Sequence, residues 1–357
     1  MAKPIKLLIV DDSALMRRQL STLFQNEGDF DVRTARNGRE AVEENIAFTP
    51  DVITLDINMP EMDGLTALSL LMAERPVAVV MISSLTEKGA LATLEALNLG
   101  AIDYVPKPDG TISLSIEKIQ TEVINKVRAA AQAKINNARG LTARMRAANQ
   151  ANEKVAATHS IQRFGIKRHG VVLIGVSTGG PRTLEDILPL LPETFPWPVL
   201  VAQHMPPSFT RPFAERMNGL CALMVSEVSR PTPLEPGNIY IARGGADMVL
   251  TERAGRLTAI TRPEQPGFLW HPSVDLLGQS ALETCDPELV IAVLLTGMGY
   301  DGARAFAELK KRGARTIAES EQTAVVFGMP AELIARDGAT VVLPSERIAN
   351  QIIKWVR

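Results

Sequence analysis

Three residues far apart in the chain can together move an acyl group: Ser177, His204 and Asp301. A serine hydroxyl becomes a useful nucleophile when a histidine takes its proton and a carboxylate orients the imidazole. Ser177 stands in Gly175-Val176-Ser177-Thr178-Gly179-Gly180-Pro181, after the apolar run Val171-Val172-Leu173-Ile174. Gly175-x-Ser177-x-Gly179 satisfies the nucleophile-elbow spacing. A helix begins soon after, and its free N–H groups, with those near Thr178 or Met298, are candidates to hold an oxyanion. Each residue also has a plainer reading. The glycine-rich turn can be only a turn, or a phosphate cradle. His204 can be a hydrogen-bonded structural residue, and Asp301 a helix N-cap before Gly302-Ala303-Arg304. Placement favours the chemical reading. All three follow apolar strands at their carboxyl ends, so they can meet on one edge of one sheet. His271, ahead of Pro272-Ser273-Val274-Asp275, is a reserve base or a substrate-binding residue. The order Ser, His, Asp differs from the Ser, Asp, His order of α/β-hydrolases, which implies a convergent triad on a different sheet.

A second set lies in the first third: Asp11, Asp12, Asp56, Ser83 and Lys107. Three converging carboxylates repel one another, and a hard divalent cation such as Mg²⁺ relieves this through oxygen ligands. Lys107 can pair with a phosphoryl group, Ser83 can donate to it, and a carboxylate can accept it. Singly, these aspartates read as loop residues or helix caps. As a set, each at a strand end, they read as a site.

The elements that must position these residues follow from hydrophobic patterning. Lys6–Val10, Asp51–Leu55, Val77–Ile82 and Ala101–Val105 read as buried strands. Helical spacing recurs over Leu15–Phe24, Leu65–Arg75 and Lys88–Leu99, the last stopped by Gly100. The alternation implies a five-stranded doubly wound parallel sheet. A helical pattern runs from about Lys118 to Lys134 and then loses its apolar stripe. From 121 to 170 ten Lys or Arg stand against Glu122 and Glu153, which reads as a solvated basic linker. His159 and His169, here or at its edge, carry no expected catalytic role. From Val171 onward strands and helices alternate again, with Pro198–Ala202, Asn238–Ala242, Leu289–Leu295 and Arg315–Ala318 as strands. Met248–Thr251 and Arg256–Ile260 form an antiparallel hairpin around Ala254-Gly255. This predicts a second α/β domain with a mainly parallel sheet. The expected division is 1–128, a basic linker over 129–168, and 169–357.

Residues 5–128 resemble a response-regulator receiver domain. The motifs are Val10-Asp11-Asp12-Ser13, Leu55-Asp56-x-x-Met59-Pro60-x-Met62-Asp63-Gly64, Ser83-Ser84 and Lys107-Pro108. The resemblance implies phosphorylation at Asp56, with Mg²⁺ held by Asp11, Asp12, Asp56 and the Asn58 carbonyl. It implies Ser83, Tyr104 and Lys107 as the switch residues. Residues 170–357 look like the catalytic domain of the chemotaxis protein-glutamate methylesterase (CheB) family. The motifs are Ile174-Gly175-Val176-Ser177-Thr178-Gly179-Gly180, Gln203-His204-Met205-Pro206-Pro207, Pro272-Ser273-Val274-Asp275, Leu295-Thr296-Gly297-Met298-Gly299-x-Asp301-Gly302 and Val326-Phe327-Gly328-Met329-Pro330. That resemblance implies hydrolysis of methyl esters on chemoreceptor glutamates, and in many members deamidation of glutamines. Ser177 is then the nucleophile, His204 the base and Asp301 the orienting residue, with no cofactor for the ester reaction. A histidine kinase of the CheA type would be the phosphodonor and methyl-accepting chemoreceptors the substrate. The chain departs from the family in two places. Ala242-Arg243-Gly244-Gly245-Ala246-Asp247 replaces the frequent Ala-Pro-Gly-x-x-His, so a substrate-side histidine is missing there. Asn58 stands where a glutamate is frequent.

Composition bounds the alternatives. At 357 residues and 46% hydrophobic, the chain supports two cored domains. A net charge of −2 argues against a general nucleic-acid binder. Two cysteines without metal-ligand spacing fit a reducing compartment. No signal peptide and no long apolar run is present, so the expectation is a cytoplasmic protein without membrane insertion. A DNA-binding regulator would need a compact helix-turn-helix, which is absent. A non-catalytic phosphorylation-controlled binding module is the alternative, against which the intact Ser177, His204 and Asp301 stand.

Overall fold

A computed structural model describes residues 3–84, 86–107, 116–133 and 170–356. The expected basic linker, with His159 and His169, lies outside the described residues except for 129–133, most of which end the last helix of the first domain.

The first domain alternates strictly. Strands β1 (Ile5–Val10), β2 (Phe30–Ala35), β3 (Val52–Asp56), β4 (Ala78–Ser83) and β5 (Asp103–Pro106) form one parallel sheet in the order β2-β1-β3-β4-β5. Helices α1 (Ala14–Glu27), α2 (Gly38–Ala47), α3 (Gly64–Glu74), α4 (Glu87–Leu99) and α5 (Ile116–Gln132) cover both faces. Leu7, Ile9, Val80 and Ile82 pack toward α1 and α5, and their neighbours Leu8, Val10, Val79 and Met81 pack toward the other helices. This two-sided burial is why the central strands read as unbroken apolar runs. The first four helix starts are fixed locally: Ser13, Asn37, Asp63 and Thr86 accept from the backbone N–H three residues on. Gly100 closes α4 in the left-handed region, as expected.

The second domain holds strands β6 (Val171–Val176), β7 (Val199–Gln203), β8 (Met224–Val228), β9 (Thr232–Pro233), β10 (Asn238–Ala242), β11 (Ala246–Arg253), β12 (Arg256–Pro263), β13 (Val290–Leu294), β14 (Arg315–Glu319) and β15 (Val341–Leu343). Seven of them make a parallel sheet in the order β15-β14-β13-β6-β7-β10-β8. The expected hairpin is present as β11 and β12, and β9 adds a third antiparallel strand. Helices α6 (Gly180–Ile187), α7 (Pro207–Leu220), α8 (Val274–Thr284), α9 (Ala303–Lys311), α10 (Met329–Ala335) and α11 (Ser345–Val356) flank the parallel sheet. Val172, Ile174 and Val176 pack with α6, α7 and α11, whereas Val171 and Leu173 pack with α8, α9 and the hairpin.

The chain enters this sheet at its centre. From β6 it goes to β7 on one side and later returns to β13 on the other. A crevice opens at the carboxyl ends where the strand order reverses, and Ser177 lies there. The two domains share one apolar cluster. Leu94, Leu97 and Tyr104 join Phe209 and Phe213, and the Tyr104 ring stacks on Phe209 with centroids 4.6 Å apart.

All three tryptophans, Trp197, Trp270 and Trp355, lie in the second domain, so their emission reports its unfolding. Leu173 is fully buried on central β6, whereas Val342 on edge strand β15 is 45% exposed. Urea titration followed by tryptophan fluorescence is expected to show Leu173→Ala costing about 2–5 kcal/mol. Val342→Ala is expected to cost about 1 kcal/mol at most.

Candidate active site

The three residues that sequence spacing singled out are brought into one hydrogen-bonded chain. Ser177 follows β6, His204 follows β7 and Asp301 follows β13, three adjacent strands at the centre of the sheet. Ser177 Oγ is 3.1 Å from His204 Nδ1, and His204 Nε2 is 2.9 Å from Asp301 Oδ2. An ionised carboxylate only accepts. Nε2 therefore carries the proton shared with Asp301, and Nδ1 is left to accept from the serine.

Asp301 is almost fully buried, yet its carboxylate is well supplied with donors. Oδ2 accepts from the Val274 N–H at 2.7 Å, and Oδ1 from the Asp275 N–H at 2.9 Å and the Ser273 hydroxyl at 3.1 Å. Burial pushes its pKa up, but the His204 hydrogen bond and charge and the N–H groups of Asp275 and Val274 outweigh burial. The carboxyl is held below its ordinary range. Two of these donors are N–H groups of the first turn of α8, which have no partner within the helix.

The backbone around Ser177 is clamped from several sides. The Ser177 N–H donates to the Thr296 carbonyl at 2.9 Å, and the Thr296 hydroxyl to the Thr178 carbonyl at 2.8 Å. Gln203 Nε2 bridges the carbonyls of Ser177 at 3.0 Å and His204 at 3.1 Å. Gly297 must be glycine: a Cβ there would stand 2.7 Å from Ser177 Cβ and strike Met329 Sδ. Beneath this layer lies Glu319, fully buried, accepting from the Thr296 N–H at 2.8 Å and the Thr323 hydroxyl at 2.9 Å.

The remaining candidates are placed differently. The Thr178 hydroxyl donates to Asp103 Oδ2 of the first domain at 2.7 Å. Among the described residues, no hydrogen bond is donated by the backbone N–H of Thr178 or Met298. His271 does not join the triad. Its Nδ1 faces both carboxylate oxygens of Asp247 at 3.0 Å. Asp247, which occupies the position of the missing family histidine, is buried and also accepts from the N–H groups of Ser273 and Gln265. Trp270 and Glu319 were not singled out from the sequence, and Gln203 and Asp247 were named only as members of longer motifs. The Trp270 ring lies parallel to the His204 imidazole, and its only sequence signal was proximity to the Pro272-Ser273-Val274-Asp275 motif.

In the first domain, one carboxylate oxygen from each of Asp11, Asp12 and Asp56 can be chosen so that all lie within 4.8 Å of one another. Lys107 Nζ lies 2.7 Å from Asp56 and 3.2 Å from Asp11. The Oδ2 atoms that meet this ammonium are buried and take no further hydrogen bond. An all-oxygen donor set with unused lone pairs fits a hard divalent cation such as Mg²⁺. Burial raises the Asp56 pKa; Lys107 partly offsets this and Asp11 adds to it. Burial lowers the Lys107 pKa, but its contacts with Asp56 and Asp11 win and raise it. The Asn58 N–H donates to Asp56 Oδ1 at 3.3 Å, and the Ser83 hydroxyl to the Gly89 carbonyl at 3.2 Å. Tyr104 is buried against Phe209, and burial raises its phenol pKa.

Fold and site together define a class: a receiver domain joined to an α/β domain with a serine–histidine–aspartate arrangement on its central strand ends. The CheB methylesterase family profile matches residues 172–352, and the response-regulator receiver profile matches residues 7–117. The chain is 56% identical over 355 residues to protein-glutamate methylesterase/protein-glutamine glutaminase 3 of Rhodospirillum rubrum, covering 98% of this chain and 96% of that one. It is 46% identical to the protein-glutamate methylesterase/protein-glutamine glutaminase of Caldanaerobacter subterraneus, covering 100% and 98%. The crystal structure of the Thermotoga maritima CheB methylesterase catalytic domain is similar, with a TM-score of 0.51 and 38% identity over 53% of this chain and 99% of that one. The chain belongs to the CheB methylesterase family.

Glu319 gives the second domain a pH signature. Burial pushes its carboxyl from an ordinary 4.5 up to about 7, against the lowering effect of its Thr296 and Thr323 hydrogen bonds. Between those values the unfolded chain has lost a proton that the folded chain keeps. Stability therefore falls as pH rises from 4.5 to 7, by about 3 kcal/mol if the whole shift is expressed. A Glu319→Gln variant mimics the protonated form. Urea titrations at pH 5 and pH 8 are expected to show the variant gaining on wild type at the higher pH.

Proposed function

We propose that this chain is a phosphorylation-controlled hydrolase that removes methyl esters from chemoreceptor glutamates. The observation that carries the reading is the continuous chain from Ser177 Oγ through His204 to buried, multiply hydrogen-bonded Asp301. In this reading residues 1–128 receive the signal, 129–168 link, and 169–357 catalyse, in the cytoplasm where the receptor tails lie.

His204 Nδ1 takes the Ser177 proton as Oγ bonds to the ester carbonyl carbon. General-base help of this kind contributes ~10²–10⁴-fold. The imidazolium that forms is stabilised by Asp301 through Nε2. The backbone N–H groups of Thr178 and Met298, free of other hydrogen bonds among the described residues, are the donors proposed for the oxyanion. The carbon–methoxy bond then breaks, and methanol leaves with the proton from His204. Water, deprotonated by the same nitrogen, attacks the acyl-serine; the acyl–Oγ bond breaks, His204 returns the proton to Ser177 Oγ, and the glutamate is freed. With a glutamine substrate the same steps release ammonia, the glutaminase activity that the relatives' names carry.

Control rests on the receiver. Asp56 is the proposed phosphoryl acceptor, with a CheA-type histidine kinase as donor. Mg²⁺ held by Asp11, Asp12, Asp56 and the Asn58 carbonyl would neutralise phosphoryl oxygens. A phosphoryl group on Asp56 competes for the Lys107 ammonium that the free carboxylate now holds. Two contacts support coupling to the triad. Asp103 accepts from Thr178, the residue next to the nucleophile, and Tyr104, a switch residue, stacks on Phe209 of α7. In this state the receiver hinders a helical receptor substrate, and phosphorylation loosens that arrangement. A coupling of ~1–3 kcal/mol would give roughly 5- to 150-fold activation.

The test is methanol release from methylated receptor membranes, with and without a small-molecule phosphodonor and Mg²⁺. Wild type is expected to release methanol faster with phosphodonor. Ser177→Ala should fall at least about 10³-fold. Asp56→Ala should keep the basal rate and lose the activation. No release by wild type would replace this reading with the binding-module alternative, and normal release by Ser177→Ala would take Ser177 out of the reaction.

A further inference from the structure

The Trp270 indole is parallel to the His204 imidazole within 1°, with ring centroids 5.6 Å apart. It is held there from several directions. Tyr300 meets it edge-on, at a centroid distance of 5.2 Å and 83° between planes. The benzo edge of the indole lies over the backbone of Gly299, where a Cβ would stand 2.8 Å from Trp270 Cζ2 and 2.9 Å from Cη2. Gly299 also has a φ of +90°, a conformation that favours glycine. The segment that carries the indole is tied down immediately after it. His271 Nδ1 meets both oxygens of buried Asp247, and the Ser273 N–H donates to the same carboxylate at 2.8 Å. Ser273 Oγ and the Val274 N–H then reach Asp301, the carboxylate that also holds His204. Trp270 and His204 are therefore referenced to one anchor.

The two hydrogen bonds of His204 run through opposite ring nitrogens. They align the ring along the line from Ser177 to Asp301, and they leave its tilt about that line to packing. A flat wall parallel to the ring restricts that tilt. An indole face also attracts the imidazolium that forms when Nδ1 takes the serine proton.

We propose that Trp270 is a positioning residue for His204: it holds the imidazole in the plane that joins Ser177 to Asp301 and favours the ring's charged form during acyl transfer. The inference rests on the esterase reading of the triad. It assigns Gly299 and Tyr300 as the supports of the indole.

The test pairs kinetics with a measurement that needs no turnover. In the full chain, Trp270→Ala is expected to lower the kcat for methanol release about 10- to 100-fold. KM should change less than about threefold, because a group acting through His204 affects the chemical step and not ground-state binding. Trp270→Phe should recover most of the loss by restoring a flat face. Nitrogen-15 NMR of histidine-labelled protein should show His204 with the proton on Nε2 and sharp ring signals in wild type and Trp270→Phe. In Trp270→Ala the proton should stay on Nε2, held by Asp301, while the ring signals broaden as the imidazole tilts. A rise in KM with kcat intact would make Trp270 a substrate wall and overturn the proposal. So would equally sharp His204 ring signals in all three proteins with equal kcat. If wild type released no methanol, the esterase reading would fail, and the His204 spectra alone would still decide whether Trp270 orders the ring.

Discussion

The second domain depends on keeping one buried carboxylate charged. Asp301 is nearly inaccessible to water, and an ionised carboxylate in such a place is costly unless protein groups replace its hydration. The chain meets this with His204 on one side and the start of α8 on the other. The first N–H groups of that helix have no partner within it, and their partial positive charge suits an anion. Ser273 serves twice, capping α8 through the Leu276 N–H and donating its hydroxyl to Asp301. The requirement explains much of the surrounding geometry. The loop after β13 must bring Asp301 to the mouth of α8, and α8 must begin within reach of β7's end. The orientation of His204 follows from it, because a carboxylate that only accepts decides which ring nitrogen keeps its proton.

The sheet topology supplies the rest of the placement without special side chains. Parallel strands put every strand-to-helix loop on one edge, and reversal at β6 leaves room between the loops on either side. The nucleophile turn, the base loop and the Asp301 loop come from neighbours β6, β7 and β13. Short connections then make the register of these strands the register of the site. Thr296 shows how tightly this holds: its carbonyl, hydroxyl and N–H reach Ser177, Thr178 and Glu319 respectively. The first domain repeats the scheme, with Asp56, Ser83 and Lys107 at or just beyond the ends of β3, β4 and β5.

The sequence was most legible where burial on both faces forces a continuous apolar run. Central strands such as β1, β3, β6 and β13 announced themselves, and the polar residue at each end was the natural candidate. Edge strands were harder. β2 buries only its two ends, and its Asp31, Arg33 and Thr34 do not look like a strand interior. β8 and β15 are likewise partly exposed and passed unread. Ser177, His204 and Asp301 were legible because each is chemically distinctive and sits at a strand end. Gln203, Glu319 and Trp270 were not. Their roles come from contacts between residues far apart in sequence, and no local periodicity marks a glutamine that bridges two carbonyls or an indole that lies over an imidazole.

The departure at Asp247 and the presence of Trp270 are parts of one arrangement. A carboxylate at that position is buried, so it too needs donors. The segment after β12 provides them in succession: the Gln265 N–H, the His271 ring and the Ser273 N–H. Wrapping around Asp247 in this way fixes the path of residues 265–273 and leaves Trp270, inside that path, facing His204. A histidine at 247 would offer at most one ring nitrogen as an acceptor and could not receive three donors at once. Asp247 and His271 are therefore to be considered as a pair. Their effect on the triad runs through the indole that their contact holds in place, and a swap of Asp247 for the family's frequent histidine would disturb His204 without touching it.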